Sequence, residues 1–70
     1  VGKGEIVIED ECFIGINSFI MGNIKIGKHA IIGANSVVTH DVPSYSVVAG
    51  SPAKIIKKYD FKKKEWISVK

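Results

Sequence analysis

From Ile8 to Pro43, apolar and polar residues recur with a period of six, dividing the stretch into the words IEDECF, IGINSF, IMGNIK, IGKHAI, IGANSV and VTHDVP. The first letter is β-branched and aliphatic every time: Ile8, Ile14, Ile20, Ile26, Ile32 and Val38. The fifth is small or aliphatic: Cys12, Ser18, Ile24, Ala30, Ser36 and Val42. A helix of 3.6 residues per turn cannot keep positions six apart on one narrow stripe through six repetitions. A short strand in each word can, because the first letter and the preceding fifth letter then face inward while the residue between them faces out. Units of this kind bury their apolar side only by stacking on one another.

The middles of the words hold Gly15, Asn17, Gly22, Asn23, Gly27, Gly33 and Asn35, residues that let a chain turn where φ becomes positive. A side of strand plus corner, repeated, predicts a prism-like coil. If three sides close one turn, Ile8 stacks over Ile26, Ile14 over Ile32 and Ile20 over Val38. The fifth letters then pair as Cys12 over Ala30, Ser18 over Ser36 and Ile24 over Val42. Successive coils lie about 4.8 Å apart and are joined by parallel ladder bonds. The expected class is all-β: a three-sided parallel β-helix of hexapeptide repeats with a short C-terminal cap.

Outside the six words the reading is more local. Val1 to Glu5 reads as a corner and Ile6-Val7-Ile8 as the first whole strand. Glu9-Asp10-Glu11 is expected to face water, whereas Phe13 and Phe19, the sixth letters of adjacent words, are outward aromatics expected to pack against another subunit or, alternatively, to line the contact with an acceptor or cofactor. Met21-Gly22-Asn23 departs from the glycine-second habit and suggests a corner of different shape. His29 and His40 are placed at corners, where an exposed, uninvolved histidine is the plain expectation. After Pro43 the rhythm stops, because proline fixes φ and withholds a donor. Ser46 to Gly50 reads as one more strand, and Gly50-Ser51-Pro52 as a turn. Ala53 to Lys58 fits a helical turn or an extended crossing with Ile55 and Ile56 inward. Tyr59 to Val69 fits either a short helix capped by Asp60 or a hairpin turning at Lys62-Lys63-Lys64-Glu65. The alternation of Tyr59 and Phe61 and the strand formers from Trp66 to Val69 favour the hairpin. The division is therefore coils over residues 1–50 and a basic cap over 51–70.

Composition narrows the function. Seventy residues are few for a self-sufficient core, and a coil with bare strand edges at its ends is hard to keep soluble. The start at Val1, already in a repeat-like step, is read as the C-terminal part of a longer protein; a small domain rescued by oligomerisation is the alternative. Residues 1–50 carry three lysines against five acids, and residues 51–70 seven lysines against two acids. The overall charge of +3 and the absence of arginine argue against nucleic acid as partner. The basic tail could still meet a polyanionic small molecule. A single cysteine, Cys12, excludes an internal disulfide, and its inward letter makes it core. No apolar run approaches membrane-spanning length and no signal peptide is visible, so a cytoplasmic protein without membrane insertion is expected. No HxH, CxxC, HExxH, GxSxG or GxxxxGK[ST] pattern occurs, and no metal site is expected.

The words IGINSF, IGKHAI and IGANSV, followed by VTHDVPSYSVVAGSPAKIIKKYD, resemble the C-terminal end of the hexapeptide-repeat acyltransferases. That group of left-handed parallel β-helices includes maltose, galactoside, serine, antibiotic and polysaccharide O-acetyltransferases. The resemblance covers roughly residues 8–60. It implies a homotrimer with the active site between subunits, acetyl-coenzyme A as co-substrate and a sugar or polysaccharide hydroxyl as acceptor. Carried over by position, it puts Phe13 near the pantetheine end, with Ser18 nearby. It sets Gly33 and Ala34 where backbone groups meet the pantetheine amides, and Thr39 and His40 along the arm. Lys54 and Lys57 fall near the nucleotide phosphates, with Pro52 and Ala53 at the adenine end. Lysines neutralising phosphate and backbone donors reading amides are chemically consistent with those roles.

The sequence also departs from the family pattern. Met21-Gly22-Asn23 stands where Pro-Gly is usual, and His40 replaces a common lysine, which lowers the charge on the phosphate side. The family's catalytic histidine usually lies upstream of the matched region, so neither His29 nor His40 inherits that role, and the base is expected before Val1. Two other relatives of this fold are alternatives: a non-catalytic or zinc-dependent, carbonic anhydrase-like trimer, and the C-terminal domain of a sugar nucleotidyltransferase.

Overall fold

The computed structural model describes residues 4–69. Val1, Gly2 and Lys3 of the expected first corner lie outside them. Among the described residues there are nine strands and no helix: β1 (Ile6–Ile8), β2 (Phe13–Ile14), β3 (Phe19–Ile20), β4 (Ile24–Ile26), β5 (Ile31–Ile32), β6 (Val37–Val38), β7 (Ser46–Gly50), β8 (Ala53–Asp60) and β9 (Glu65–Ser68). They form three sheets, one for each side of a prism. The first side is β1-β4, the second β2-β5-β7-β8-β9 and the third β3-β6.

The parallel registers are those the hexads predict. Ile8 pairs with Ile26, Ile14 with Ile32 and Ile20 with Val38. Inward letters make the core: Ile26, Ala30, Ile32 and Ser36 are essentially inaccessible, and Ile24, Val38, Val42 and Val48 are buried with them. Each aliphatic side chain so enclosed contributes roughly 1.5–3 kcal/mol relative to exposure. The lowest coil is less covered, with Ile6, Ile8 and Ile14 at 44%, 47% and 37% exposure. Phe13 and Phe19 point outward as expected, at 64% and 60%.

Six of the corners share one conformation, and the corner at Asp41 does not. Glu11, Asn17, Asn23, His29, Asn35 and Tyr45 all have φ between 56° and 62°. The first five are the fourth letters of their words, and Tyr45 is the fourth residue counted from Val42. This left-handed region costs an ordinary L-residue about 1–2 kcal/mol, and asparagine tolerates it best. The glycines expected to supply positive φ serve differently. A Cβ on Gly15 would sit 2.5 Å from the Ala34 backbone nitrogen, and one on Gly27 would fall on the Ser44 backbone. These glycines permit the coil above to come down.

One stacking expectation fails. Val42 pairs with Ile26, not with Ile24, and Ile31 and Ile32 pair with Val47 and Val48. The last turn is therefore sixteen residues long, two fewer than the one beneath it. The side chain of Asp41 explains how the shortening is tolerated: its Oδ1 accepts from the Lys25 amide at 2.9 Å, while the Val42 amide reaches the Lys25 carbonyl. A carboxylate replaces the ladder carbonyl that the missing residues would have supplied.

Beyond Gly50 the chain reverses. After a cis Ser51–Pro52 bond, β8 runs antiparallel to β7 with an irregularity at Val47/Val48, and β9 runs antiparallel to β8. The hairpin reading of the tail is the one observed, and Ala53 to Lys58 is strand. Asp60 caps the hairpin turn through its bonds to the Lys62 and Lys63 amides. Ile55 packs against the core, whereas Ile56 is 42% exposed, since neighbours along a strand face opposite sides.

The glycine contacts give a direct test. Gly27→Ala should destabilise the protein by about 1–3 kcal/mol through overpacking against the Ser44 backbone. Gly22→Ala, whose Cβ would lie 3.3 Å from Gly4 Cα, should cost less. Urea unfolding of the two variants beside the parent checks the order.

Candidate functional site

The corner between the second and third sides gathers most of the residues singled out by sequence. It is built by 15–18 in the lower coil, 33–36 in the middle coil and the β7–β8 turn above. Ser18 Oγ donates to the Gly33 carbonyl at 3.0 Å, and Ser36 Oγ donates to the same oxygen at 2.6 Å. The Gly33 amide donates upward to Val48, and the Gly50 amide donates to Ser36 Oγ at 3.3 Å. Fifth-letter serines therefore act as vertical posts, each satisfying backbone groups that the turning chain would otherwise leave buried and unpaired. Ser46 repeats the motif at the neighbouring corner, bonding Pro43 at 2.6 Å.

Three storeys of this corner expose small or apolar groups in a line. Ala34 lies exposed over Gly15, Pro52 is exposed above, and Ala53 pairs with Gly50 at the start of β8. Ile16, 78% exposed, completes the line below. Sequence reading passed over Ile16, although it is the one branched aliphatic among the third letters Asp10, Ile16, Gly22, Lys28, Ala34 and His40. It also missed Ser36, whose burial looked like packing alone.

Lys54 pairs with Ala49 in the strand leaving this corner. Lys57 lies further along β8, opposite Val47. Since Phe13, Ile31, Val47 and Lys57 are successive register partners, they form one outward row across the second side. Both lysines are exposed, and neither forms an ion pair among the described residues, where the pairs are Lys25–Glu9 and His29–Glu11. Thr39 and His40 are not brought to this corner. They follow β6 at the far end of the third side, with Thr39 Oγ1 2.9 Å from His40 Nδ1.

His29 differs from the exposed, uninvolved histidine expected of it. It is half-buried, its Nε2 is 2.8 Å from Glu11 Oε1, and its ring stacks on Tyr45 with centroids 4.8 Å apart. Cys12 occupies its inward position, its thiol directed at the Glu9 and Gly27 carbonyls at 3.2 and 3.1 Å.

Residues 5–40 match the bacterial transferase hexapeptide family (six repeats). The chain belongs to that family. Its coil is accordingly a left-handed parallel β-helix. It is 51% identical over 63 residues to 2,3,4,5-tetrahydropyridine-2,6-dicarboxylate N-acetyltransferase of Clostridium perfringens, a match covering 90% of this chain and 27% of that protein. Among solved structures, a hexapeptide-repeat acetyltransferase of Vibrio cholerae O1 biovar eltor complexed with acetyl-coenzyme A superposes with a TM-score of 0.75 and 45% identity, over 76% of this chain and 29% of that one. A maltose O-acetyltransferase of Clostridium difficile 630 superposes with a TM-score of 0.76 and 42% identity, over 79% and 29%. The chain thus spans between a quarter and a third of the length of these relatives.

If the serine posts hold the corner, Ser36→Ala should lower stability by about 1–3 kcal/mol by leaving the Gly50 amide unmet. Thermal unfolding checks it, with Ser44→Ala, an exposed position, as the control that should stay within about 0.5 kcal/mol.

Proposed function

We propose that this chain forms the cofactor-binding end of an acetyl-coenzyme A dependent acetyltransferase. The observation that carries the reading is the line of exposed backbone and small side chains at the second corner, from Ile16 through Ala34 to Pro52, with exposed Lys54 at its upper end. Such a strip suits an extended pantetheine arm: the backbone groups of Ala34, next to Gly33, answer its amides, apolar side chains flank its methylenes, and Lys54 and Lys57 neutralise the phosphates. Bound acetyl-coenzyme A supplies the thioester carbonyl that is transferred. What these residues do is hold and orient it, so that an acceptor need only be deprotonated and aligned. The base for that step is assigned to the part of the protein preceding Val1.

The position of Thr39 and His40 supports an assembly. Lying at the opposite end of the third side, they can line the same arm only from a neighbouring copy, which favours a homotrimer with its sites between subunits. For the acceptor, the likeness to the maltose enzyme and the tail string VVAGSPAKIIKK favour a sugar or polysaccharide hydroxyl. A second reading, N-acetylation of a cyclic dicarboxylate, is favoured by the 51% identity to the Clostridium perfringens enzyme. Thiol release from acetyl-coenzyme A with maltose or with tetrahydrodipicolinate as acceptor separates the two.

The cofactor assignment is tested by calorimetric titration of the full-length protein with coenzyme A. Lys54→Ala and Lys57→Ala should each weaken binding about five- to tenfold, as loss of one exposed charge contact of about 1 kcal/mol requires. Affinity unchanged in both variants excludes the phosphate role.

A further inference from the structure

The other edge of the second side carries a groove that, Phe13 apart, involves none of the residues assigned to the cofactor. Its volume is about 290 Å³, and it is lined by Glu11, Phe13, His29, Tyr45, Tyr59 and Trp66, with Ile31 at its floor. The wall is a column of corner residues from three successive coils. Glu11 pairs with His29 at 2.8 Å, and His29 stacks on Tyr45. The opposite wall comes from the hairpin, where Tyr59 and Trp66 are register partners packed edge to face at 5.4 Å. Tyr45 and Tyr59 close the angle between the walls, with centroids 6.4 Å apart.

Two features separate this column from the other corners. At the other non-glycine corners of positive φ in the coils the residue is asparagine: Asn17, Asn23 and Asn35. Here it is Glu11, His29 and Tyr45, all with φ near 60°; histidine tolerates that region, but Glu11 and Tyr45 stand where asparagine is the easy choice. Strain held in this way is a pointer to function when the side chains converge on a cavity, as these do. In addition, the hydroxyls of Tyr45 and Tyr59 and the indole NH of Trp66 bond to no described side-chain or backbone partner. The groove therefore offers aromatic faces together with free donors and acceptors.

We infer that this groove is a saccharide-binding site. A pyranose ring has an apolar C–H face, which packs on aromatic rings, and a rim of hydroxyls, which need the donors and acceptors that Tyr45, Tyr59, Trp66 and Glu11 present. A purely apolar ligand would leave the Tyr45, Tyr59 and Trp66 donors unmet. A cation would be drawn to an unpaired carboxylate among aromatic rings, but Glu11 already faces His29. The volume, at the low end of ligand pockets, suits roughly one or two rings of an oligosaccharide. The inference deepens the sugar-acceptor reading and rests on it for why such a protein would hold a glycan; the groove lies across the second side from the cofactor corner and would grip a remote part of the chain.

The test is calorimetric titration of the full-length protein, without coenzyme A, with maltohexaose, isomaltohexaose and chitohexaose. At least one should bind. Trp66→Ala should weaken it at least tenfold and Glu11→Gln at least fivefold, while coenzyme A affinity stays within twofold. Because Trp66→Ala could open the hairpin, Tyr59→Phe, which keeps the ring and removes only its hydroxyl, serves as the second variant and should weaken binding about threefold. Binding of none of the three oligosaccharides, or binding unaffected by all three substitutions, overturns the inference, as does preferential binding of choline, which would make the groove a cation site. Since coenzyme A is absent from the titration, failure of the cofactor assignment would leave a positive result standing.

Discussion

Closure of this prism depends on one backbone conformation repeated at its corners. Each full side is a strand of two or three residues, too short to be stable alone, and the chain must turn sharply enough to return above itself within eighteen residues. A left-handed residue at the fourth letter produces that turn. Once it is fixed, the first and fifth letters have no freedom to face elsewhere, and the buried set from Ile24 to Val48 follows. The hydrophobic pattern and the corner dihedral are two expressions of the same closure: neither alone specifies a prism, and together they leave no register ambiguity.

The corners then acquire separate identities through what stacks on them. Between the second and third sides, serines at the fifth letter hold carbonyls and amides in place, and the outer surface is left small and plain beside Gly33 and Ala34. Between the first and second sides, bulky groups rise in a column and meet the hairpin. A coil with six nearly equal words thus presents one smooth edge and one aromatic edge, although both rest on the same backbone path. The difference lies in outward letters, to which the core is indifferent.

That indifference sets what could be read from the sequence. Inward letters were legible because burial constrains them: Ile8 over Ile26, Ile14 over Ile32 and Ile20 over Val38 follow from period alone. The hairpin was legible as the better of two choices, since Tyr59 and Phe61 alternate with polar neighbours and Trp66 to Val69 are rich in strand formers. Val42 was misplaced because counting by six assumes equal turns, and nothing local announces that the Asp41 carboxylate will stand in for a missing peptide. The glycines were credited with dihedral freedom, whereas Gly15 and Gly27 are required by a backbone eighteen or so residues away, a contact no local pattern encodes. The residues of the cofactor corner were named through resemblance. Their grouping, and the separation of Thr39 and His40 from them, needed three dimensions. The column of Glu11, His29 and Tyr45 was hidden by the same shortened turn, since Tyr45 joins it only when the last coil is counted from Val42.

The reversal at Ser51–Pro52 has a wider consequence. Every ladder below it runs in one direction, so a coil presents above itself a template on which another like it could settle, from this chain or a neighbour's. With β8 and β9 laid over the second side as an antiparallel hairpin, the strand next above the last coil runs against it, and the pairing there no longer follows the hexad. On that side the tail puts a hairpin where the hexad pattern would have set another coil, so the repeat is interrupted by a change of strand direction and not by a change of core.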